Sequence, residues 1–222
     1  MTKHKEQESN ILEEVQNFYN RYQKILIGVA LAIVLGVAAY VYKDYRESKQ
    51  EEEALPLMSY PQEYFRIDSF SLALNGDGAN PGFLDIIDEY PASSSANLAN
   101  YYAGISYLKL GDVQSAIDYL DDFSPGTDLL AARKYELLGH AYSQLGESDK
   151  AAKYYERAAH TVEHDFFTPY YLQLAGDYYL NLGKYEKARD MYQEIEKKYP
   201  LSAQGREVVK YLKLVDAKLK YS

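Results

Sequence analysis

The 222-residue sequence contains no cysteine and no tryptophan, and its basic residues are outnumbered, with 24 Lys and Arg against 33 Asp and Glu. The absence of cysteine excludes disulfide bridges, thiolate metal sites, iron–sulfur clusters and thiol catalysis. The acidic balance argues against sequence-independent nucleic-acid binding, which requires a basic face. Tyrosine is abundant, with 25 residues, so many rings must have one end packed and the other end in water.

One long uncharged run, residues 25–42, reads ILIGVALAIVLGVAAYVY. A bilayer core about 30 Å thick needs about 20 apolar helical residues, so this run predicts one transmembrane signal anchor. Lys24 and Lys43 flank it, and Tyr22 and Tyr42 lie where aromatic residues meet the membrane interface. The alternatives are a buried core helix, which rarely runs so long without a polar residue, and a cleaved signal peptide, whose apolar region would be shorter.

The segments on either side of this run are polar. Residues 1–24 predict a short amphipathic segment, whose apolar face either lies against lipid or docks on a membrane partner. That face consists of Ile11, Leu12, Val15, Phe18, Tyr19 and Tyr22. Residues 43–59 are dense in charge and predict a solvated helical stalk that ends by Pro56. Because four basic residues precede the span and three follow it, charge leaves its orientation open.

The rest of the chain contains a pattern that recurs three times, with periods of 35 and 37 residues. Each copy has a Gly, a Tyr three residues later, a Leu-Gly pair, an Ala and a bulky residue. The members are Gly104, Tyr107, Gly111, Ala116 and Leu120, then Gly139, Tyr142, Gly146, Ala151 and Tyr155, then Gly176, Tyr179, Gly183, Ala188 and Tyr192. This spacing predicts antiparallel helix pairs: the first Gly and the Ala lie where the helices cross closely, and the second Gly ends the first helix with a positive φ. The bulky residue is predicted to wedge against the next hairpin.

These positions resemble the tetratricopeptide repeat, in which two helices recur about every 34 residues. Pro200 takes the place of the closing proline, whereas the usual Trp near the start is absent. The resemblance implies an all-α solenoid over residues 60–222. Its parts are repeats at about 97–130, 132–165 and 169–200, a degenerate opening hairpin at 60–92 and a capping helix at 201–221.

Little in the sequence predicts catalysis, because it has no Gly-rich phosphate loop, no G-x-S-x-G elbow and no H-E-x-x-H. His160 and His164, four residues apart, are the nearest approach to a metal pair, but they fall at a predicted helix end and are interpreted as exposed. The acidic clusters at 85–89 and 121–122 are interpreted as solvated faces. We therefore expect no enzyme activity, no metal, no cofactor and no small-molecule substrate.

In tetratricopeptide folds the first helix of each hairpin lines a groove, so the resemblance implies a protein-binding surface on the outward positions of these helices. They are Tyr101, Ile105, Lys109, Arg133, Glu136, His140, Gln144, Tyr170, Gln173, Asp177 and Asn181. This mixture suits an extended polypeptide with a few apolar anchors. It departs from the carboxylate-clamp members, which use Lys and Asn. The alternative, in which the chain's own N-terminal hairpin partly fills the groove, stays open.

The order of parts resembles the bacterial YfgM-type ancillary subunits of the SecYEG translocon, most closely in residues 83–91 and 98–104. That resemblance implies a single-pass protein of the bacterial inner membrane, with a cytoplasmic N-terminus and periplasmic repeats. Its implied partners are polypeptide clients, chaperones and the SecYEG translocon. Two alternatives are a scaffold for cell division or envelope assembly and a cytosol-facing adaptor resembling organelle import receptors.

Overall fold

The computed structural model describes the backbone of residues 2–221 and the side chains of residues 16, 17 and 19–221. Over this part of the chain it has eleven helices and no strand, which confirms the all-α prediction. The helices are α1 (Thr2–Leu57), α2 (Ser59–Arg66), α3 (Phe70–Asn75), α4 (Phe83–Glu89), α5 (Ser94–Leu110), α6 (Val113–Asp122), α7 (Asp128–Gln144), α8 (Ser148–Thr161), α9 (Phe167–Asn181), α10 (Tyr185–Lys198) and α11 (Ala203–Tyr221).

The chain divides into two compact units, Met1–Lys49 and Gln50–Ser222. The first unit is formed by the part of α1 up to Lys49, and within it the side chains of residues 25–42 are all exposed. In the described part of the chain this is the one helix long and apolar enough to cross a membrane. The side chains of Ile11, Leu12, Val15 and Phe18, four of the six in the predicted apolar face, lie outside those described.

In the second unit, α5–α6, α7–α8 and α9–α10 form three successive helix pairs, and the repeated glycines explain how each pair closes. A Cβ added to Gly139 would lie 2.5 Å from a ring carbon of Tyr155, and one added to Gly176 would lie 2.6 Å from Tyr192. Gly111, Gly146 and Gly183 end the first helix of each pair with φ between 70° and 86°. Both roles predicted for the glycines are confirmed.

The bulky residue of the first two repeats packs against the next hairpin, as the spacing predicted, and that of the third packs against the single helix α11. The Tyr155 ring centroid lies 4.6 Å from that of Tyr178 in α9, and Tyr192 stacks on Tyr211 of α11 at 5.3 Å. Both Tyr155 and Tyr192 are fully buried. Tyr155 and Tyr192 therefore carry the core from one pair to the next, and their hydroxyls pair with the polar side chains of His140 and Asp177.

Residues 59–89 differ from the predicted two-helix hairpin, since they form the three short helices α2, α3 and α4. Asp68, with φ of 59°, separates α2 from α3. Asp77 in the loop before α4 accepts hydrogen bonds from the Tyr64 hydroxyl at 2.6 Å and from the Asn80 backbone N–H at 2.7 Å. Asp77 therefore holds this loop together and ties it to α2. Ala73, Leu74, Phe83 and Ile86 are buried against α5.

The end of α1 also differs from the predicted solvated stalk. Ala54 is fully buried in the core shared with α3, α4 and α5. The Glu51 carboxylate accepts hydrogen bonds from the Ser95 backbone N–H at 2.8 Å and from its hydroxyl at 3.0 Å. The Gln50 side chain accepts from the Ala92 N–H at 2.7 Å. Because these groups satisfy N–H donors at and just before the start of α5, residues 50–57 belong to the repeat unit.

Candidate protein-binding groove

The face formed by α5, α7 and α9 carries the predicted groove residues, and its centre is a buried carboxylate. Glu136 is 2% exposed, although its register predicted an outward position. Its carboxylate accepts a hydrogen bond from Arg133 Nη1 at 2.6 Å and another from the Tyr170 hydroxyl at 3.1 Å. His140 Nε2 lies 3.5 Å from it. Glu136 is buried because Tyr170 and Tyr171 of the following hairpin cover it.

The ionisation of Glu136 follows from these contacts. Burial alone would raise its pKa, because it penalises the charged form. The hydrogen bonds from His140, Arg133 and Tyr170 outweigh burial and lower the pKa of Glu136 to about 2. The carboxylate is therefore ionised at neutral pH, and the Arg133 guanidinium, half exposed, is the charged group that this cluster presents to solvent.

A second group of predicted residues lies on α9. The Asp177 carboxylate accepts a hydrogen bond from the buried Tyr192 hydroxyl at 2.6 Å, and Gln173 donates to the Tyr211 hydroxyl at 3.1 Å. Burial raises the pKa of Asp177, and the hydrogen bonds from Tyr192 and Gln173 oppose that rise. These groups tie α9 to α10 and α11, so they shape the groove from beneath.

In all three pairs, the residue after the crossing glycine matches the polarity of the bulky residue that it meets on the second helix. His140 Nδ1 lies 2.9 Å from the Tyr155 hydroxyl, just as Asp177 pairs with the Tyr192 hydroxyl. In the first pair the corresponding residues are Ile105 and Leu120, and both belong to one apolar cluster. A tyrosine at the bulky position is therefore matched by a polar groove residue, and a leucine by an apolar one.

The remaining predicted residues are spread along the same helices. Tyr101 is half-buried, with its ring centroid 5.1 Å from that of Phe123. Lys109, Gln144 and Asn181 are exposed in the last turns of α5, α7 and α9. The structure thus brings Arg133, Glu136, His140 and Tyr170 together in one cluster and leaves the three residues at the helix ends apart from it.

Beside this cluster lies a cavity of about 470 Å³ that the sequence reasoning did not identify. Its apolar and aromatic lining comes from Leu129 and Leu130 of α7 and from Phe166, Phe167, Tyr170 and Tyr171 around the start of α9. Arg133 and Glu136 are its polar lining residues. None of the described residues of α2–α4 lines it.

The exposed side chains around this cavity are unusually large and apolar. Phe166 is 68% exposed, Leu129 is 40% exposed and Tyr170 is 39% exposed. Clustered apolar exposure of this kind marks interaction surfaces in soluble domains. The sequence contains two apolar pairs, Leu129-Leu130 at the start of α7 and Phe166-Phe167 at the start of α9. They indicate a binding surface only once the fold places α7 and α9 side by side.

The two histidines considered for metal binding do not form a pair. The helix α8 ends at Thr161, so His160 lies in its last turn and His164 lies in the loop beyond it. His164 Nδ1 accepts a hydrogen bond from the Phe166 N–H at 3.1 Å. Within the described residues no cluster of three or more metal-ligating side chains is found.

Comparison with known proteins identifies a matching family and similar solved structures. The family described as tetratricopeptide repeat-like domain matches residues 16–218. A structure titled "Crystal structure of MamA protein" is similar with a TM-score of 0.53 and 18% identity, covering 76% of this chain and 93% of that one. A structure titled "Crystal structure of MamA" has a TM-score of 0.50 and 19% identity, covering 72% of this chain and 95% of that one. No match is found among curated proteins.

Proposed function

Because this chain belongs to the tetratricopeptide repeat-like family, we propose that it is a non-enzymatic, membrane-anchored adaptor whose groove binds polypeptides. Proteins of this fold generally present such grooves to other polypeptides. The observation that carries the proposal is the open apolar cavity between α7 and α9, whose rim exposes Phe166 and Leu129.

The cavity also indicates the chemistry of the bound segment. A cavity of about 470 Å³ accommodates large apolar or aromatic side chains. The half-exposed guanidinium of Arg133 lines the same cavity and suits a carboxylate, with which it forms strong charge-assisted hydrogen bonds. The preferred partner is therefore a polypeptide segment in which a large apolar residue stands beside an acidic residue or a C-terminal carboxylate.

The membrane anchor and its surroundings complete the proposal. Residues 25–42 anchor the chain in the bacterial inner membrane, and the repeat unit faces the periplasm, where its partners are translocon subunits, chaperones or secreted clients. The uncharged run supports the anchor. The resemblance of residues 83–91 and 98–104 to YfgM-type subunits of the SecYEG translocon supports the rest. Tethering to the membrane raises the local concentration of the groove near its clients, which compensates for weak binding.

Photocrosslinking in native membranes tests the groove. A photoreactive phenylalanine analogue is placed at Phe166 and, as a matched control, at Leu201, which is 87% exposed and does not line the cavity. We expect adducts with translocase components or secretory clients at position 166, reduced by Arg133→Ala. Absence of adducts at position 166, or the same adducts at position 201, would contradict the groove.

A reporter fused after the last residue tests the orientation. Alkaline phosphatase is active only outside the cytoplasm, so a periplasmic repeat unit gives an active fusion. An inactive phosphatase fusion together with an active cytoplasmic reporter at the same site would favour the cytosol-facing adaptor.

A further inference from the structure

The last helix, α11, carries a cationic face that the proposed groove does not use. Arg206, Lys210, Lys213 and Lys220 stand at i, i+4, i+7 and i+14, so they share one side of the helix, and all four are exposed. The opposite side is buried against α9 and α10, where Val208 and Val215 are 1% and 0% exposed. This orientation leaves the four cations directed to solvent.

The positive charge of this region contrasts with the rest of the unit. Residues 184–222 contain ten basic and six acidic residues, a net charge of +4, whereas residues 55–183 contain seven basic and 18 acidic residues, a net charge of −11. Within α11 itself five basic residues stand against Glu207 and Asp216. Glu207 pairs with Lys210 at the surface, and no described acidic side chain forms an ion pair with Lys213 or Lys220.

Apolar side chains border the cations. Val209 is 48% exposed, Leu214 is 45% exposed and Tyr221 is 83% exposed. In a helical projection these three lie just outside the stripe of Arg206, Lys210, Lys213 and Lys220. A helix face that combines Lys and Arg with exposed aliphatic and aromatic residues suits the interface of an anionic bilayer, where headgroups and acyl chains are met together.

We propose that this face of α11 binds the anionic lipid headgroups of the membrane in which the chain is anchored, an inference that rests on the proposed anchor. The charges are complementary: the unit as a whole is acidic and is repelled by an anionic surface, so only this end is attracted to it. The interaction orients the repeat unit on the bilayer. A second copy, whose acidic part could meet the same cations, lacks the hydrocarbon phase that the bordering apolar residues suit.

Because the chain has no tryptophan, a single introduced tryptophan reports on its own position without background. Leu214→Trp places the probe on α11, and Leu145→Trp is the matched control, since both leucines are 45% exposed. Each full-length variant is incorporated into nanodiscs of brominated phosphatidylcholine with or without brominated phosphatidylglycerol, at one chain per disc and, in a parallel sample, at two chains per disc. Bromine on the acyl chains quenches a tryptophan that reaches the interface.

We expect quenching at position 214 in the anionic discs, little in the zwitterionic discs, and none at position 145. Each lysine near an anionic surface raises the equilibrium constant for binding of α11 to the bilayer about fivefold. Lys213→Glu with Lys220→Glu therefore lowers the ratio of bound to free α11 by at least about 25-fold. The matched control, Lys150→Glu with Lys153→Glu, reverses two exposed lysines of α8 and leaves the quenching unchanged.

Other results overturn the inference. Three results would show that the cations of α11 do not bind it to the bilayer. They are equal quenching in both kinds of disc, equal quenching at both positions, and quenching that survives the double reversal on α11. A blue shift at position 214 without quenching, present only in discs that hold two chains, assigns the face to a second copy. Failure of the chain to incorporate into discs refutes the anchor, and this inference with it, whereas incorporation without quenching refutes only this inference.

Discussion

Two ion pairs of the repeat unit have the same spacing and the same length but differ in burial. Arg133–Glu136 and Glu63–Arg66 each join residues three apart at 2.6 Å. The Glu136 side chain is 3% exposed, whereas that of Glu63 is 57% exposed. Water screens the second pair, so only the first is expected to influence stability measurably.

The pH dependence of stability tests this difference. The pKa of Glu136 is lowered from 4.5 to about 2 in the folded chain, so its contribution is complete above pH 4.5 and is lost as the pH falls toward 2. A shift of this size corresponds to at most about 3 kcal/mol. We expect Glu136→Gln to be less stable than wild type at pH 7, with the difference closing in that window.

Urea unfolding of the full chain in mild detergent, followed by circular dichroism across this pH range, makes the measurement. The matched control, Glu63→Gln, should give a curve that parallels wild type at every pH. A Glu136→Gln curve that also parallels wild type would show that the ionisation of Glu136 makes no pH-dependent contribution to stability.

The crossing glycines provide a second test at the residue scale. In Gly139→Ala the new Cβ meets the Tyr155 ring at 2.5 Å, and that ring is fully buried. Overpacking costs about 1–3 kcal/mol, which exceeds the gain of about 1 kcal/mol that Ala brings to a helix interior. We expect a lower melting temperature by circular dichroism. In the control, Gly126→Ala, nothing lies within 4 Å of the new Cβ, and a similar loss there would contradict the packing explanation.

At the scale of elements, the start of α5 joins two parts of the repeat unit. The Ser93 hydroxyl accepts from the Ala96 N–H at 2.9 Å, and the Glu51 carboxylate at the end of α1 accepts from the Ser95 N–H at 2.8 Å. A carboxylate at a helix N-terminus also interacts favourably with the helix dipole. This one interaction therefore fixes the end of α1 and the first turn of α5 together.

Removing this carboxylate should loosen that turn. Loss of an N-terminal capping group costs about 1 kcal/mol, so Glu51→Ala should speed amide hydrogen exchange in residues 94–98 severalfold. The neighbouring Glu52 is exposed, so Glu52→Ala is the control for charge alone. Equal exchange in the two variants would show that Glu51 does not cap α5.

The elements also show what the sequence could predict and what it could not. The helix pairs followed from two sets of glycines, since each set acts over a few residues and leaves a local pattern. Gly104, Gly139 and Gly176 allow the close crossings, and the positive φ belongs to Gly111, Gly146 and Gly183. The cavity could not be predicted from the sequence, because it forms only where Leu129 of one hairpin and Phe166 of the next come together. The outward register of Glu136 failed for the same reason, since a helical period gives a face but does not say what the next hairpin covers.

At the scale of the whole molecule, the apolar run and the repeat unit require different surroundings. Every side chain in residues 25–42 is exposed in the described structure, which is costly in water and favourable in lipid. The unit Gln50–Ser222 instead has its own buried core. The proposed anchor therefore lies only in the first unit, and it can be removed without altering the residues that form the groove.

A single charge in the run should show whether it anchors the chain. Val34 lies at the middle of residues 25–42, where an arginine costs about 2.5–3.5 kcal/mol for membrane insertion. We expect Val34→Arg to move a large share of the chain from the membrane pellet to the soluble fraction after alkaline extraction of cells. Tyr45→Arg is the matched control, since Tyr45 is 64% exposed, Val34 is 62% exposed and only Val34 lies within the run. If both variants stay in the pellet, the run is not what holds the chain there, and if wild type is itself soluble, the anchor is refuted directly.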